Sequence, residues 1–164
     1  MPKRLGVLGA VIAVLALTFS IISPALSDSR YERRTIHLVS KQAEDDEFIT
    51  RIDVGEKGDS VGDYGVVSSQ PMYSPSLKKA IAELRGSFIY LEINEKGELA
   101  ATEDDLTIEF RNGTIIAEGT DDFSKTLITL AVTGGTGVYE TAHGELDIDY
   151  TDFELPEWTF KLLL

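Results

Sequence analysis

The stretch "AVTGGTGVYETAHGEL", residues 131–146, decides the fold. Gly134, Gly135 and Gly137 crowd together directly behind an apolar run. Such a cluster is either a loop that cradles phosphate or a tight corner between strands. A Walker loop needs Lys followed by Ser or Thr after its last glycine, so that an ammonium meets the phosphates. Here Val138, Tyr139 and Glu140 follow. The dinucleotide pattern needs a further glycine and then a helix. Glu140 stands where that glycine belongs, and its charge opposes a phosphate. The segment is therefore read as a corner in which the backbone needs positive φ and close approach.

Strand signals extend outward from that corner. Residues 144–150, "GELDIDY", alternate Glu145, Asp147 and Asp149 against Leu146, Ile148 and Tyr150. Period-2 alternation marks a strand with one face buried. Residues 35–40, 48–54, 64–73, 87–95, 105–110, 114–120, 126–132 and 157–164 carry similar signals. Asn112-Gly113 between two of them is a strong hairpin turn. Residues 74–86, "SPSLKKAIAELRG", have helical composition, with Ser76 as a cap and Gly86 as a stop. Short-linked strands with little helix indicate an antiparallel barrel or sandwich. Because the final strand ends the chain, it needs a covering neighbour, which suits a barrel.

The 164 residues make one domain the default, and 43% hydrophobic residues supply a core. There is no cysteine, so disulfides, zinc–thiolate sites and cysteine nucleophiles are excluded. Residues 1–27 join Lys3 and Arg4 to an uncharged apolar run, with Ala25 and Ser27 before a cut at Asp28. That is a secretory signal peptide pattern; the alternative is an uncleaved anchor. A secreted single domain over 28–164 is the expectation. With those two cations gone, the net charge of −13 becomes −15. Such acidity repels nucleic acid phosphates and anionic headgroups, so neither nucleic acid nor stable membrane association is expected.

Residues 130–148, "LAVTGGTGVYETAHGELDI", resemble the corner signature of the allene oxide cyclase and dirigent superfamily. Residues 58–74, "GDSVGDYGVVSSQPMYS", resemble its strand with Gly-Asp, an apolar run and a loop. "GTIIAEG" and "EWTFKLLL" match its penultimate hairpin and aromatic last strand, so the likeness covers roughly residues 58–164. The resemblance implies an all-β, eight-stranded antiparallel barrel with an elongated apolar cavity. It also implies no metal and no organic cofactor, and an apolar ligand: a lipid, polyketide or phenolic. A homotrimer or a homodimer is left open. The acids of both families are missing. "IHLVSKQAEDD" lacks the cyclases' Glu and Asn, and Ser68 and Ser69 replace the dirigent Asp pair.

The resemblance turns Gly65, Val67 and Ser69 inward as ligand-binding residues, and alternation puts Phe88, Tyr90 and Glu92 on one face of the next strand. Trp158 and Phe160 would line or plug the cavity. Glu92 is the candidate general acid, since desolvation raises a carboxyl pKa. Tyr90 would orient a substrate oxygen. Glu118 stands where the resemblance puts a Gln and would pair with Glu92 or bind a polar group of the substrate. Each has a plainer alternative: a strand-end acid, a core tyrosine, a solvated face. His143 beside the corner is either a base or structural. The acidic runs Glu44–Glu47, Glu103–Asp105 and Asp121–Asp122 lack the calcium-loop pattern and read as solvated turns. Two function classes remain: a cyclase or isomerase that holds a flexible substrate near its reacting shape, or a non-catalytic dirigent-like or lipocalin-like carrier. An inert scaffold is a third. An inward pair of titratable residues would favour the first, a wholly apolar pocket the second, and a barrel filled by side chains the third.

Overall fold

The structure is a computed structural model that describes residues 31–41, 47–55 and 57–164. The signal peptide expected over 1–27 lies outside the described residues, as does most of the charged loop at 41–47. Nine strands are present among those described: β1 (Arg33–Ser40), β2 (Ile49–Ile52), β3 (Tyr64–Tyr73), β4 (Ala80–Ile93), β5 (Leu99–Phe110), β6 (Gly113–Asp122), β7 (Leu127–Gly135), β8 (His143–Asp149) and β9 (Glu157–Leu163). Each pairs antiparallel with its neighbour in the order β1-β9-β8-β7-β6-β5-β4-β3-β2. Val39 and Ser40 of β1 also pair with Tyr73 and Met72 of β3, which closes the sheet. β2 takes up the line of β1 along the first half of β3. The result is an eight-stranded antiparallel barrel. The terminal strand β9 is covered on both sides, by β1 and β8.

The corner at 134–142 is built of backbone against backbone. Gly137 has φ +60°, where a side chain is strained. A Cβ on Gly135 would lie 2.3 Å from the Thr114 carbonyl oxygen and 2.6 Å from that of Tyr139. The amides of Thr136, Val138, Tyr139, Glu140 and Ala142 all donate to backbone carbonyls. Those five amides are therefore committed to the protein's own backbone. Tyr139 and Ala142 are buried and seal the barrel base, with Phe110 tilted against Tyr139 at 5.3 Å.

Residues 74–86 do not form the expected helix. Residues 74–79 make a turn in which the Leu77 amide donates to the Ser74 carbonyl, and Leu77 has φ +57°. From Ala80 the chain is strand. Ala82 and Leu84 point inward, and Glu83 and Arg85 outward, where Arg85 pairs with Glu109 of β5. Sheet partners on both sides override a weak helical preference. The barrel interior is largely filled. Leu38, Met72, Ile108, Ile115, Leu130, Leu146, Ile148 and Phe160 are essentially inaccessible and belong to one apolar cluster. An elongated apolar cavity of the kind the resemblance implies is thus occupied by the protein's own side chains through most of its length.

The corner generates a paired prediction. Gly135→Ala is expected to cost at least ~1–3 kcal/mol by overpacking rigid backbone. Gly134→Ala, with nothing within 4 Å of its Cβ, is expected to change stability by less than about 0.5 kcal/mol. Urea denaturation of the two variants checks this, and similar losses at both sites would refute the packing account.

Candidate active site

The inward rows of three strands are apolar in the barrel and turn polar at its open end. On β5, Leu106 and Ile108 share a face with Asp104 and Thr102. On β6, Ile115 and Ala117 lead to Asp121. On β8, Leu146 and Ile148 lead to Tyr150, just past the strand. Thr102 sits directly across from Asp121, and Asp104 is their diagonal neighbour on the same face. These groups meet in a pocket of about 190 Å³ lined by Ile49, Arg51, Phe88, Leu99, Thr102, Asp104, Asp121, Phe123 and Tyr150. It lies at the end opposite the glycine corner.

The hydrogen bonds are directional. Tyr150 Oη donates to Asp121 Oδ2 at 3.0 Å. Thr102 Oγ1 donates to Asp104 Oδ1 at 2.7 Å. Arg51 Nη1 donates to Tyr90 Oη at 2.7 Å, which fixes Tyr90 beside Phe88; their rings stack 6.1 Å apart at 7°. Phe88 lies over Gly65, where an added Cβ would meet the ring at 2.1 Å. Asp121 is only 3% exposed, and no donor among the described residues reaches its Oδ1. That is an expensive arrangement unless a proton or a ligand satisfies the oxygen.

Burial, more than the neighbouring charge of Asp121, pushes the Asp104 carboxyl up to about 6, against the pull of its bond from Thr102. Burial likewise raises Asp121, opposed by the bond from Tyr150. Burial first, then the Asp121 charge, drives the Tyr150 hydroxyl up, so it stays a donor. Asp104 can therefore give and take a proton near neutral pH, beside a second carboxyl whose pKa is also raised and a hydroxyl held as a donor.

The sequence-derived candidates fall in several places. Phe88 lines this pocket, and Tyr90 and Gly65 support it from behind. Val67, Trp158 and Phe160 are buried in the apolar cluster, and Trp158 Nε1 donates to Ser40 Oγ. Ser69 lies within a bulge in β3 and donates to Glu83 on the outer wall. Glu92 also follows a bulge, with Leu91 as the extra residue. It stands opposite Ala101, off the face of Tyr90, and lines a neighbouring open groove. Glu118 is exposed on the outer wall and accepts from Thr133. His143 is exposed, its ring edge-on to Tyr31 at 5.4 Å. The runs at 103–105 and 121–122, expected as solvated turns, are strand, and Asp121 is buried. Among the described residues no acid or histidine cluster suits a metal ion.

Asp104 links the site to stability. Below about pH 4 it is protonated whether folded or unfolded and costs nothing. As pH rises through 4–6 the unfolded chain loses its proton first, and above about 6 the folded state carries the full penalty, on the order of 2–3 kcal/mol. Asp104→Asn is therefore expected to stabilise the protein by roughly 1–3 kcal/mol at pH 8 and to lose most of that gain at pH 4. Urea melts at both pH values test it; equal stability of parent and variant at pH 8 would show that Asp104 ionises without penalty.

No protein-family model and no curated protein matches the chain. Solved structures do. A pyocyanin demethylase matches with TM-score 0.63 and 25% identity, over 79% of this chain and 99% of its own. The pterocarpan synthase dirigent protein GePTS1 matches with TM-score 0.66 and 18% identity, over 90% and 98%. AbnU, an exo-specific intermolecular Diels-Alderase, matches with TM-score 0.53 and 18% identity, over 81% and 99%. The chain thus has the dirigent- and cyclase-like barrel fold.

Proposed function

We propose that this protein binds a small organic molecule at the open end of its barrel and steers its cyclisation or isomerisation by proton transfer. One observation carries the reading: Asp104 and Asp121 face inward together, both with raised pKa, beside a tyrosine whose hydroxyl is held on one of them. A wholly apolar pocket would have favoured a carrier; an inward pair of acids favours chemistry. Asp104 has its proton to give near pH 6. Asp121, once ionised, can take one from another atom of the substrate. Since one proton enters the substrate as another leaves, the product keeps the substrate's composition. The aromatic wall of Phe88, Phe123 and Tyr150 holds an apolar body in the reacting shape.

The fold likeness to dirigent proteins and Diels-Alderases supports a steering role, since those barrels process small molecules. A shared fold does not fix activity, so the weight falls on the two acids and the tyrosine. We also propose export: the pattern in residues 1–27 and the acidic surface suit it. Among the described residues no helix is long and apolar enough to cross a membrane.

The test is a mass balance. Incubating the protein with organic extracts of its source should consume one compound and yield another of identical elemental composition. Asp121→Asn should slow that conversion at least ~100-fold, the usual worth of a positioned acid or base. No mass-neutral conversion, together with no co-purifying small molecule, would overturn the proposal.

A further inference from the structure

The two acids of the site differ in which oxygen stays open. Asp121 Oδ2 accepts from Tyr150, and its Oδ1 is the one sealed side-chain polar atom among the described residues that has no partner. Asp104 Oδ1 accepts from Thr102 Oγ1 at 2.7 Å, and no described group donates to Asp104 Oδ2. Asp104 is half-buried and lines the pocket. Its Oδ2 is unbonded yet not among the sealed atoms, so that oxygen keeps open surface. The donor on the other oxygen is tightly held. Thr102 is 2% exposed and stands on β5 between Tyr90 of β4 and Asp121 of β6, its direct partners in register. Tyr90 is itself pinned by the bond from Arg51. The branched Cβ of a threonine restricts rotation about χ1. A hydroxyl has one proton to give. Here it goes to Asp104, although Asp121 lies straight across.

Resting on the proton-transfer reading above, we propose that Thr102 is a positioning residue: its hydroxyl holds Asp104 Oδ1, fixes the rotation of the carboxyl, and leaves Oδ2 as the oxygen that exchanges a proton with the substrate. The last torsion of an aspartate is broad, so an unheld carboxyl presents either oxygen over a wide range of angles. A hydroxyl also bonds a carboxylate more strongly than the neutral acid. The same contact therefore works against burial, the main upward push on Asp104, and keeps its titration within reach of neutral pH. The other groups facing Asp104 cannot do this. The charges of Asp121 on β6 and of Glu103, its own neighbour on β5, add to the upward push. Tyr150, beyond β8, spends its proton on Asp121, and Arg51 of β2 donates to Tyr90. β4 sets the apolar Phe88 directly opposite.

Carbon-13 NMR of the aspartate carboxyls follows Asp104 directly, its signal being the one that Asp104→Asn removes. The parent should titrate near pH 6. Thr102→Val keeps the branched shape and loses the hydroxyl, and should raise that midpoint by about one pH unit. Thr102→Ser keeps the donor and should titrate close to the parent. In the mass-neutral conversion Thr102→Val should lower kcat roughly 10-fold with little change in KM. It should also carry the upper pH limit of activity upward with the Asp104 midpoint, and Thr102→Ser should restore most of the rate. An Asp104 midpoint unmoved in Thr102→Val, or moved as far in Thr102→Ser, would overturn the role of the hydroxyl. So would an unchanged kcat in Thr102→Val. Absence of any conversion would sink the proton-transfer reading and the catalytic role with it, whereas the titration decides by itself whether Thr102 holds Asp104.

Discussion

Closure of the barrel is the constraint on which everything else rests. Once β1 pairs with β3, each strand must send every second side chain into a lumen of fixed width. An eight-stranded lumen is just wide enough for side chains to fill or for one small ligand to occupy. Apolar residues supply that filling from the glycine corner upward. Near the opposite end Asp104, Asp121 and Tyr150 continue the same rows. Alternation therefore forces acids into a place where their charge is badly solvated. The pocket is the part of the lumen where the packing stops.

That arrangement is costly to the fold and useful to chemistry. Acids on an outer wall would sit near their ordinary pKa and contribute solubility. Held inside, Asp104 titrates near 6, where a group can both give and accept protons. Only the open end is organised this way. At the other end the corner commits the amides of Thr136, Val138, Tyr139, Glu140 and Ala142 to carbonyls and caps the core with Tyr139. Elsewhere a buried acid serves structure. Asp63 accepts from the amides of Val54 and Ser60 and ties down the turn before β3, and the Val54 bond is the main reason its carboxyl sits below the usual range.

Much of the site was present in the sequence as alternation that runs on past the apolar residues. Counting back by twos from Ile108 and Leu106 reaches Asp104 and Thr102; counting forward from Ala117 reaches Asp121. Runs such as Glu-Asp-Asp instead look like solvated turns, because acids most often are solvated. The same counting misplaces Glu92 and Ser69. Bulges at Leu91 and after Val67 each insert one residue and swap the alternation, so Ser69 and Glu92 leave the inward face and, on β3, Met72 takes it. Bulges leave little trace in a single chain, because their cause lies in the partner strand.

The chain determined by itself what is local. Glycine spacing set the corner through positive φ and close backbone approach, the Asn-Gly pair set a hairpin, and period-2 hydropathy set most strands. The tertiary structure decided everything that depends on a partner. It made strand of residues 80–86, since two neighbouring strands offered hydrogen bonds that outweigh helical preference. It filled the lumen, and it brought Asp104 of β5, Asp121 of β6 and Tyr150, just past β8, to one mouth. A pKa is set by burial and neighbours, and both exist only after the barrel has closed.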